Sequence, residues 1–486
     1  MLMDTVRFIL DGKLVEISDV EPTRTVLQYL REDLRRTGSK EGCAEGDCGA
    51  CTVVIAELTG DELRYRAVNA CIQFLPTLDG KALFTVESLK AADGSLHPVQ
   101  QSMVDYHGSQ CGFCTPGFIM SMYALYKNNA APGREDIDDA LSGNLCRCTG
   151  YRPIIEACLH MFDYAAPPDN DQELRKQLLG LRRAPGQSLE LERGRYYAPA
   201  SVDELANLYQ QHPSAQILAG GTDVGLWVTK QLRELPVIIY LGNAAELGQI
   251  KSSQDNIEIG AAVTLSDAGD AICAQYPEFS EMFRRFASVP VRNAATLVGN
   301  IANGSPIGDS MPVLIAIKTW VRLRHGDDVR EMALEDLYLD YMKNVMQPGE
   351  FIEAIEIPAR DEHLELRCYK LSKRFDQDIS AVCAAFALRL DGDTVSEIRI
   401  ALGGMAAIPK RAVLTEKLLT GANWDESSVT AAMKQLREDF TPLSDMRANA
   451  DYRGRATANL LYRFYLETRS QQPLDSQSVN VFAVPG

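Results

Sequence analysis

Residues 41–52 read Glu41-Gly42-Cys43-Ala44-Glu45-Gly46-Asp47-Cys48-Gly49-Ala50-Cys51-Thr52. Three cysteines spaced C-x4-C-x2-C among glycines ask for one buried object with several thiolate ligands. A plant-type [2Fe–2S] cluster takes this spacing plus one more distant cysteine. Cys71 is the only cysteine between Cys51 and Cys111, so it is the natural fourth ligand. Gly42, Gly46 and Gly49 suit a loop around an inorganic core, which needs positive φ values and backbone N–H groups close to sulphur. The bland alternative is a disulfide or buried-thiol loop, which the specific spacing disfavours. The stretch implies electron transfer.

Upstream, V-R-F-I-L-D-G-K-L-V-E-I-S over 5–17 predicts a hairpin turning at Asp11-Gly12. A helix is expected from Thr23 to Leu34, with Thr23 as its N-cap and Val26, Leu27, Leu30 and Leu34 on one stripe. Downstream, strands are expected near 52–58 and 63–68. Strand, strand, helix, loop, strand is the order of a small β-grasp ferredoxin domain, here 1–88.

A second cysteine constellation follows in an all-α stretch, 89–165. Cys111-Gly112-Phe113-Cys114 and Cys146-Arg147-Cys148 each precede a helix, with Pro116 tolerated in the first turn of one of them. Two such pairs could bind zinc, but a one-residue gap is unusual for structural zinc, which prefers C-x2–4-C. Beside the first loop, a second [2Fe–2S] cluster is the favoured reading. Cys158, Cys273, Cys368 and Cys383 read as small buried hydrophobes.

The chain has 486 residues, room for about three domains. A net charge of −17 argues against nucleic acid or an anionic membrane surface as partner. The start, Met1-Leu2-Met3-Asp4-Thr5-Val6-Arg7, has no basic region followed by a long apolar run, so no secretory signal is expected. No apolar run reaches the roughly 20 residues of a membrane span. Twelve cysteines without an export signal read as metal ligands in a reducing cytoplasm.

Residues 166–190 are polar, charged and proline-containing, and read as an exposed linker. An α+β pattern follows over 191–362, and a C-terminal unit over 363–470. Residues 471–486 read as a tail. Within the α+β part, Gly220-Gly221-Thr222 ends a strand, and Gly299-Asn300 with Thr296 offers hydroxyl, amide and unshielded N–H groups. Such turns can cradle phosphate, although plain structural turns use the same residues. Neither is G-x-G-x-x-G, and no Walker sequence occurs. A flavin is the usual bridge between one-electron clusters and two-electron chemistry.

Taken together, E-G-C-A-E-G-D-C-G-A-C-T, Q-C-G-F-C-T-P-G, G-N-L-C-R-C-T-G-Y-R-P, L-A-G-G-T-D and T-L-V-G-N-I-A-N-G-S-P-I-G-D resemble the xanthine dehydrogenase and molybdenum hydroxylase family. The order cluster, cluster, FAD is similar to the small subunit of its bacterial two-subunit members. The resemblance implies a multidomain α+β fold: a β-grasp [2Fe–2S] domain, an all-α [2Fe–2S] domain and a two-part FAD-binding domain. It implies that Cys43, Cys48, Cys51 and Cys71 hold the cluster nearer the flavin, and Cys111, Cys114, Cys146 and Cys148 the cluster nearer a molybdenum cofactor in a partner chain. Gln110 would lie close to that cofactor's pterin. FAD would be contacted by Ile217, Leu218, Ala219, Gly220, Gly221, Thr222, Asp223 and Val224, by Phe286, by Thr296, Leu297, Val298, Gly299 and Asn300, and by Asp309, Ile352 and Lys370. Asp309 has a second reading as a helix N-cap, and Lys370 one as a surface residue. The loop Ser372 to Asp378 aligns with a charged loop near the flavin, with Phe375 and Gln377 in place of charged residues. No catalytic residue is expected in this chain.

The activity so implied is xanthine dehydrogenase, with NAD+ as acceptor. The chain would serve as the electron-transfer subunit, paired with a large molybdenum-cofactor subunit in a heterotetramer of two small and two large chains. No long segment is left to supply a molybdenum domain here. The alternatives are the same subunit of a hydroxylase acting on aldehydes or N-heterocycles, or a non-catalytic iron–sulphur module.

Overall fold

The computed structural model describes residues 5–479 except 92, 185, 193 and 194. The first four residues of the expected ferredoxin domain and the last seven of the expected tail lie outside the described residues.

Strands β1 (Val6–Leu10) and β2 (Lys13–Ile17) pair antiparallel with Leu10 opposite Lys13. That leaves Asp11 and Gly12 as a two-residue turn, with φ of 52° and 70°. Two positive values are what a type I′ turn requires, and Asp-Gly tolerates both. Helix α1 (Val26–Gln28) runs on as one π turn to Asp33. Its cap is Thr25 and not Thr23. The Thr25 hydroxyl accepts from Gln28 N while the Gln28 side chain accepts from Thr25 N. Thr23 donates to Glu21 instead. Thr25 wins because a glutamine three residues on completes the reciprocal pair.

Strands β3 (Thr52–Thr59), β4 (Glu62–Asn69) and β5 (Ala82–Phe84) complete a sheet of order β2-β1-β5-β3-β4. Only β1 and β5 run parallel. Strand alternation sends side chains to two cores. Phe8, Val53 and Ile55 pack with Val26, Leu27 and Leu30 of the helical segment after Thr25. Ile9, Val54 and Ala56 face the helical unit, against Phe118, Ile119 and Met122. That unit is α2 (Pro98–Asp105), α3 (Thr115–Asn128), α4 (Arg134–Leu141) and α5 (Arg152–Leu159).

The stretch read as an exposed linker is instead tied down. It carries α6 (Asp171–Leu181), whose Leu174, Leu178 and Leu181 are buried. Those three leucines form an i, i+4, i+7 stripe inside a polar composition, and the stripe decides the outcome. Asp171 accepts from Tyr65 Oη at 2.5 Å and from Lys127 at 2.7 Å. Beyond the helix, Arg183 grips Asp79 with two bonds, 2.6 and 2.9 Å.

The second half starts with β6 (Leu189–Leu191), β7 (Tyr196–Ala198), α7 (Val202–Gln211), β8 (Gln216–Leu218), α8 (Val224–Thr229) and β9 (Ile238–Tyr240). The sheet order is β6-β7-β9-β8, with β7, β9 and β8 parallel. Next come β10 (Ile250–Ser252), β11 (Asn256–Gly260), then α9 (Leu265–Gln275), α10 (Ser280–Arg285), α11 (Val289–Arg292), α12 (Leu297–Asn303) and α13 (Ser310–Ala316). Strands β12 (Trp320–His325) and β13 (Asp328–Ala333), a hairpin of β14 (Tyr338–Asp340) and β15 (Lys343–Asn344), and β16 (Phe351–Pro358) follow. The larger sheet here is antiparallel, β10-β11-β16-β12-β13.

The C-terminal unit is a meander of β17 (Glu365–Leu371), β18 (Val382–Asp391), β19 (Thr394–Gly403) and β20 (Lys410–Arg411), backed by α14 (Val413–Leu419), α15 (Glu426–Asp439) and α16 (Ala450–Thr468). Val382, Ala384, Phe386 and Leu388 face the core that includes Leu436, Leu461 and Phe464 of α15 and α16. Cys383, Ala385 and Ala387 face α13 and the larger core beyond it. Among the described residues no helix is long and apolar enough to cross a membrane.

Candidate functional site

The loop from α1 to β3 draws Cys43, Cys48, Cys51 and Cys71 together. Cys43 Sγ accepts N–H groups from Glu45 at 3.5 Å and Cys48 at 3.4 Å. Cys48 and Cys71 also donate to it, which holds the Cys43 thiol well below the ordinary range. Cys48 is pushed up by donating to Cys43, and Cys71 by donating to Cys43 and Cys51. Gly46 and Gly49 do take positive φ, 79° and 68°. Gly42 serves differently: a Cβ there would sit 2.8 Å from Cys48 Sγ.

In the helical unit, Cys111 and Cys148 have their sulphurs 3.4 Å apart. Cys114 neighbours Cys146; burial first, and then that neighbour, push Cys114 up to about 12. Burial works against ionisation of Cys146 too, yet donation by Thr149 and the Cys148 N–H brings it down to about 7. Among the described residues, no three His, Cys, Asp or Glu side chains converge as ligands of a single metal ion. A [2Fe–2S] core asks for something else, two thiolates on each of two irons, and adjoining thiol pairs fit that demand.

The two thiol sets meet through backbone. Leu145 N donates to Cys48 O at 3.0 Å, and Asn144 Nδ2 to Gly49 O at 3.0 Å. A Cβ on Gly117 would overlap the Gly49 carbonyl oxygen and lie 3.1 Å from its carbon. The deepest pair lies in the first set and the exposed pair in the second, while Cys43, Cys48 and Cys114 are half-buried and Cys146 is buried. Cys51 and Cys71 are 1% and 3% exposed, whereas Cys111 and Cys148 lie open at the surface.

Beyond the first loop lies a cavity of about 440 Å³ between the two sheets of the middle region. Of the expected FAD contacts, Ile217, Ala219, Gly220, Gly221, Thr222, Asp223, Val224, Phe286, Thr296, Val298, Gly299, Asn300 and Ile352 line it. Leu218 and Leu297 do not; both side chains are fully buried in the cores behind the wall. Strand alternation turns Leu218 away from the face that Ile217 and Ala219 share.

Asp309 and Lys370 also stay outside the lining. They form a buried ion pair, both side chains 2% exposed. Ser380 Oγ donates to Asp309 at 2.5 Å and accepts from Lys370 at 2.9 Å. Lys370 is therefore no surface residue, and Asp309 makes no side-chain capping bond although it precedes α13. The pair's neighbour Ser310 donates to the cavity residue Asn300 at 2.6 Å.

The lining suits a dinucleotide. Its volume falls in the range of small-molecule sites, and apolar side chains dominate it. No lysine or arginine lines it, so the backbone N–H groups of the glycine turns are left to meet a phosphate. Burial raises the Asp223 carboxyl, with Arg233 opposing. Glu350 is committed to Arg330, which binds it at 2.7 and 2.8 Å. Tyr209, Trp227, Met342, Met346 and Phe351 line the cavity without having been expected. Trp227 could have been found one helical turn past the glycine turn, whereas Met342 and Met346 carry no local signal.

The charged loop reaches the first thiol loop: Gln377, at φ 59°, donates to Asp47 O at 2.7 Å. Phe375 lies under the Arg285 guanidinium, 4.1 Å from its ring centroid. Of the remaining cysteines, Cys158 and Cys383 are buried as expected, while Cys273 and Cys368 are half-buried.

Four family patterns match in order along the chain. A 2Fe-2S iron-sulfur cluster binding domain matches residues 8–75, and a [2Fe-2S] binding domain 85–159. An FAD binding domain in molybdopterin dehydrogenase matches 189–360, and a CO dehydrogenase flavoprotein C-terminal domain 367–468. The chain belongs to the molybdenum hydroxylase family. It carries that family's two [2Fe–2S] domains and its two-part FAD-binding domain, the architecture of the small subunits. Xanthine dehydrogenase of Emericella nidulans is 32% identical over 96% of this chain and 39% of its own length. Aldehyde oxidase 4 of Cavia porcellus is 29% identical over 98% of the chain and 40% of its own length. The chain thus spans about two fifths of the curated relatives it matches. Among solved structures, a chain of carbon monoxide dehydrogenase from Hydrogenophaga pseudoflava is 28% identical with a TM-score of 0.53, covering 56% of this chain and 96% of that one.

Proposed function

We propose that this chain is the electron-transfer subunit of a two-subunit xanthine dehydrogenase. A large partner holds the molybdenum cofactor at which a purine is hydroxylated, and electrons leave through two [2Fe–2S] clusters and FAD to NAD+. The observation that carries this reading is the order of the sites: a thiol set with two cysteines at the surface, a second set with two cysteines buried and in backbone contact with it, and a nucleotide-sized cavity beyond. When bound, the clusters supply one-electron carriage and the flavin supplies the exchange with a two-electron acceptor. Cys111, Cys114, Cys146 and Cys148 would hold the outer cluster, and Cys43, Cys48, Cys51 and Cys71 the inner one. Ile217 to Val224 and Thr296 to Asn300 would hold FAD. Asp309 and Lys370 would brace that cavity from behind.

Around the outer set, Phe113, Leu145 and Tyr151 are 48%, 37% and 38% exposed. An apolar collar at a redox surface suits a face covered by a partner chain. Gln110, next to Cys111, lies in that same exposed stretch. Relatives named xanthine dehydrogenase favour a purine, and the aldehyde oxidase relative makes an aldehyde the competing outcome.

The test is to purify the chain with whatever binds it, then count iron and flavin and assay xanthine-dependent NAD+ reduction. The expected result is two clusters and one FAD per chain, a molybdenum-bearing partner in a two-plus-two assembly, and xanthine turnover only in the complex. The chain alone should still oxidise NADH with an artificial dye. Absence of flavin, a partner without molybdenum, or turnover of aldehydes but not of xanthine would each overturn the corresponding part.

A further inference from the structure

The backbone of Ile72, the residue after Cys71, runs against the glycine turn of the cavity. A Cβ on Gly225 would lie 2.7 Å from Ile72 O, 2.9 Å from Ile72 Cβ and 3.2 Å from Ile72 Cα. One on Gly221 would lie 3.4 Å from the same oxygen. Two residues of one turn therefore abut the carbonyl of the residue that follows an expected thiolate ligand. Gly225 has no positive φ and, as a helix residue, loses stability relative to alanine. Close backbone approach is the remaining reason for glycine there.

Helix α8 is fastened to the first thiol loop at its other end as well. Thr229 Oγ1 donates to Ala44 O at 2.8 Å, and Lys230 lies 3.7 Å from Glu45. Val224 and Trp227 line the cavity and also pack on the core that holds Cys51, Cys71 and Ile72. The helix thus has the cavity on one side and the inner thiol set on the other.

Resting on the reading above, we infer that Gly225 and Ile72 form the spacer that sets the gap between the inner cluster and the flavin. Gly225 is a positioning residue: it touches neither the cavity nor the thiols, and it acts through the Ile72 backbone. Electron tunnelling falls off exponentially with distance. A side chain at 225 that pries the turn from Ile72 must therefore slow exchange between the two centres while leaving each in place.

The experiment uses the cofactor-loaded chain in its complex. Gly225→Ala and Thr229→Val are compared with the parent for iron content, FAD content and the rate of internal electron redistribution. That rate is read by laser-flash photoreduction with 5-deazariboflavin, which needs neither substrate nor nicotinamide. Full iron and FAD with a several-fold slower redistribution in Gly225→Ala supports the spacer. Thr229→Val, which removes the Ala44 bond without adding bulk, should slow it in the same direction by less. If Gly225→Ala does not fold, Thr229→Val decides alone, and its parental rate overturns the inference. Parental redistribution in a fully loaded Gly225→Ala overturns it as well. A parent protein lacking FAD or one cluster would instead refute the functional reading on which the spacer rests.

Discussion

Removing the Lys370 ammonium should open the flavin-side core before it touches any ligand. In Lys370→Met the Asp309 carboxylate, 2% exposed, keeps only the Ser380 hydroxyl as a side-chain donor. Breaking a buried pair by deleting one partner costs about 3–5 kcal/mol, because a charge remains without compensation. At 1.4 kcal/mol per factor of ten, that is roughly a hundredfold or greater rise in the locally open population. The pair joins α13 to β17, so the opening should centre on those elements and on β18, which carries Cys383 next to Asp309. A multidomain chain does not unfold in one step, and hydrogen exchange by mass spectrometry reports the region directly. Peptides covering 310–316 and 365–391 should lose protection by about that factor, while peptides of the β-grasp sheet stay unchanged. Replacing both charges, in Lys370→Met with Asp309→Leu, should recover part of the loss, since an apolar pair of similar volume tolerates burial. Unchanged protection in Lys370→Met together with loss of FAD would refute this account and return Lys370 to the flavin.

Other consequences can be checked singly. Gly220→Ala places a Cβ over the Ala294 carbonyl and 2.8 Å from Ala295 Cα; protein retaining iron but depleted of FAD is expected from cofactor analysis. Cys48→Ala should abolish one of two [2Fe–2S] EPR signals and spare the other, because each thiol set is complete in itself; loss of both in folded protein would count against separate sites. His97, lowered from 6.5 to about 4 by burial and then by Lys127, caps α2 by accepting the Val99 N–H, which requires a neutral ring. Its unfolded form takes a proton first as pH falls, so its contribution is intact above pH 6.5 and falls between 6.5 and 4. The loss is about 1.4 kcal/mol per pH unit, about 3 kcal/mol in all. His97→Asn should flatten that slope in urea midpoints of the cluster domains.

What the sequence displayed plainly were features with short-range causes. Asp11-Gly12 sits between two alternating strands, and the turn needs only those two residues. Cys43, Cys48 and Cys51 crowd within nine positions, so their convergence was legible without tertiary knowledge. Thr25 against Thr23 turned on one glutamine three residues away, a local detail that composition hides. The segment 166–190 misled for a broader reason: thirteen polar or charged residues mask the three leucines of the buried stripe, and only a surface to bury them distinguishes a strap from a linker. The pairing of Asp309 with Lys370 was hidden by distance. Sixty-one residues apart, they read as separate contacts, and nothing in either local context announces a mutual ion pair. Met342 and Met346 reach the cavity because a hairpin folds over it, a tertiary event with no local sign.

The glycines divide along the same line and bear on how the redox sites are held. Gly46 and Gly49 take positive φ, the property read from their loop. Gly117, Gly220 and Gly225 do not, yet each is pressed against backbone of another segment: Gly49, Ala294 and Ile72 respectively. Gly117 and Gly49 meet where the outer thiol set adjoins the inner one, and Gly225 and Ile72 meet where the inner set adjoins the cavity. Both junctions bring main chain against main chain, with the Asn144 amide beside the first and the Ile72 side chain beside the second. Side chains change rotamer and can be repacked, whereas two backbones in van der Waals contact have almost no freedom to separate without moving whole elements. An electron path across three segments of one chain needs gaps that do not fluctuate. Placing glycine where each pair of segments touches is a way to obtain that rigidity from a polypeptide. By this argument even a methyl group at Gly117 or Gly225 should shift the segments that meet there, and so change the gap between sites rather than the sites themselves.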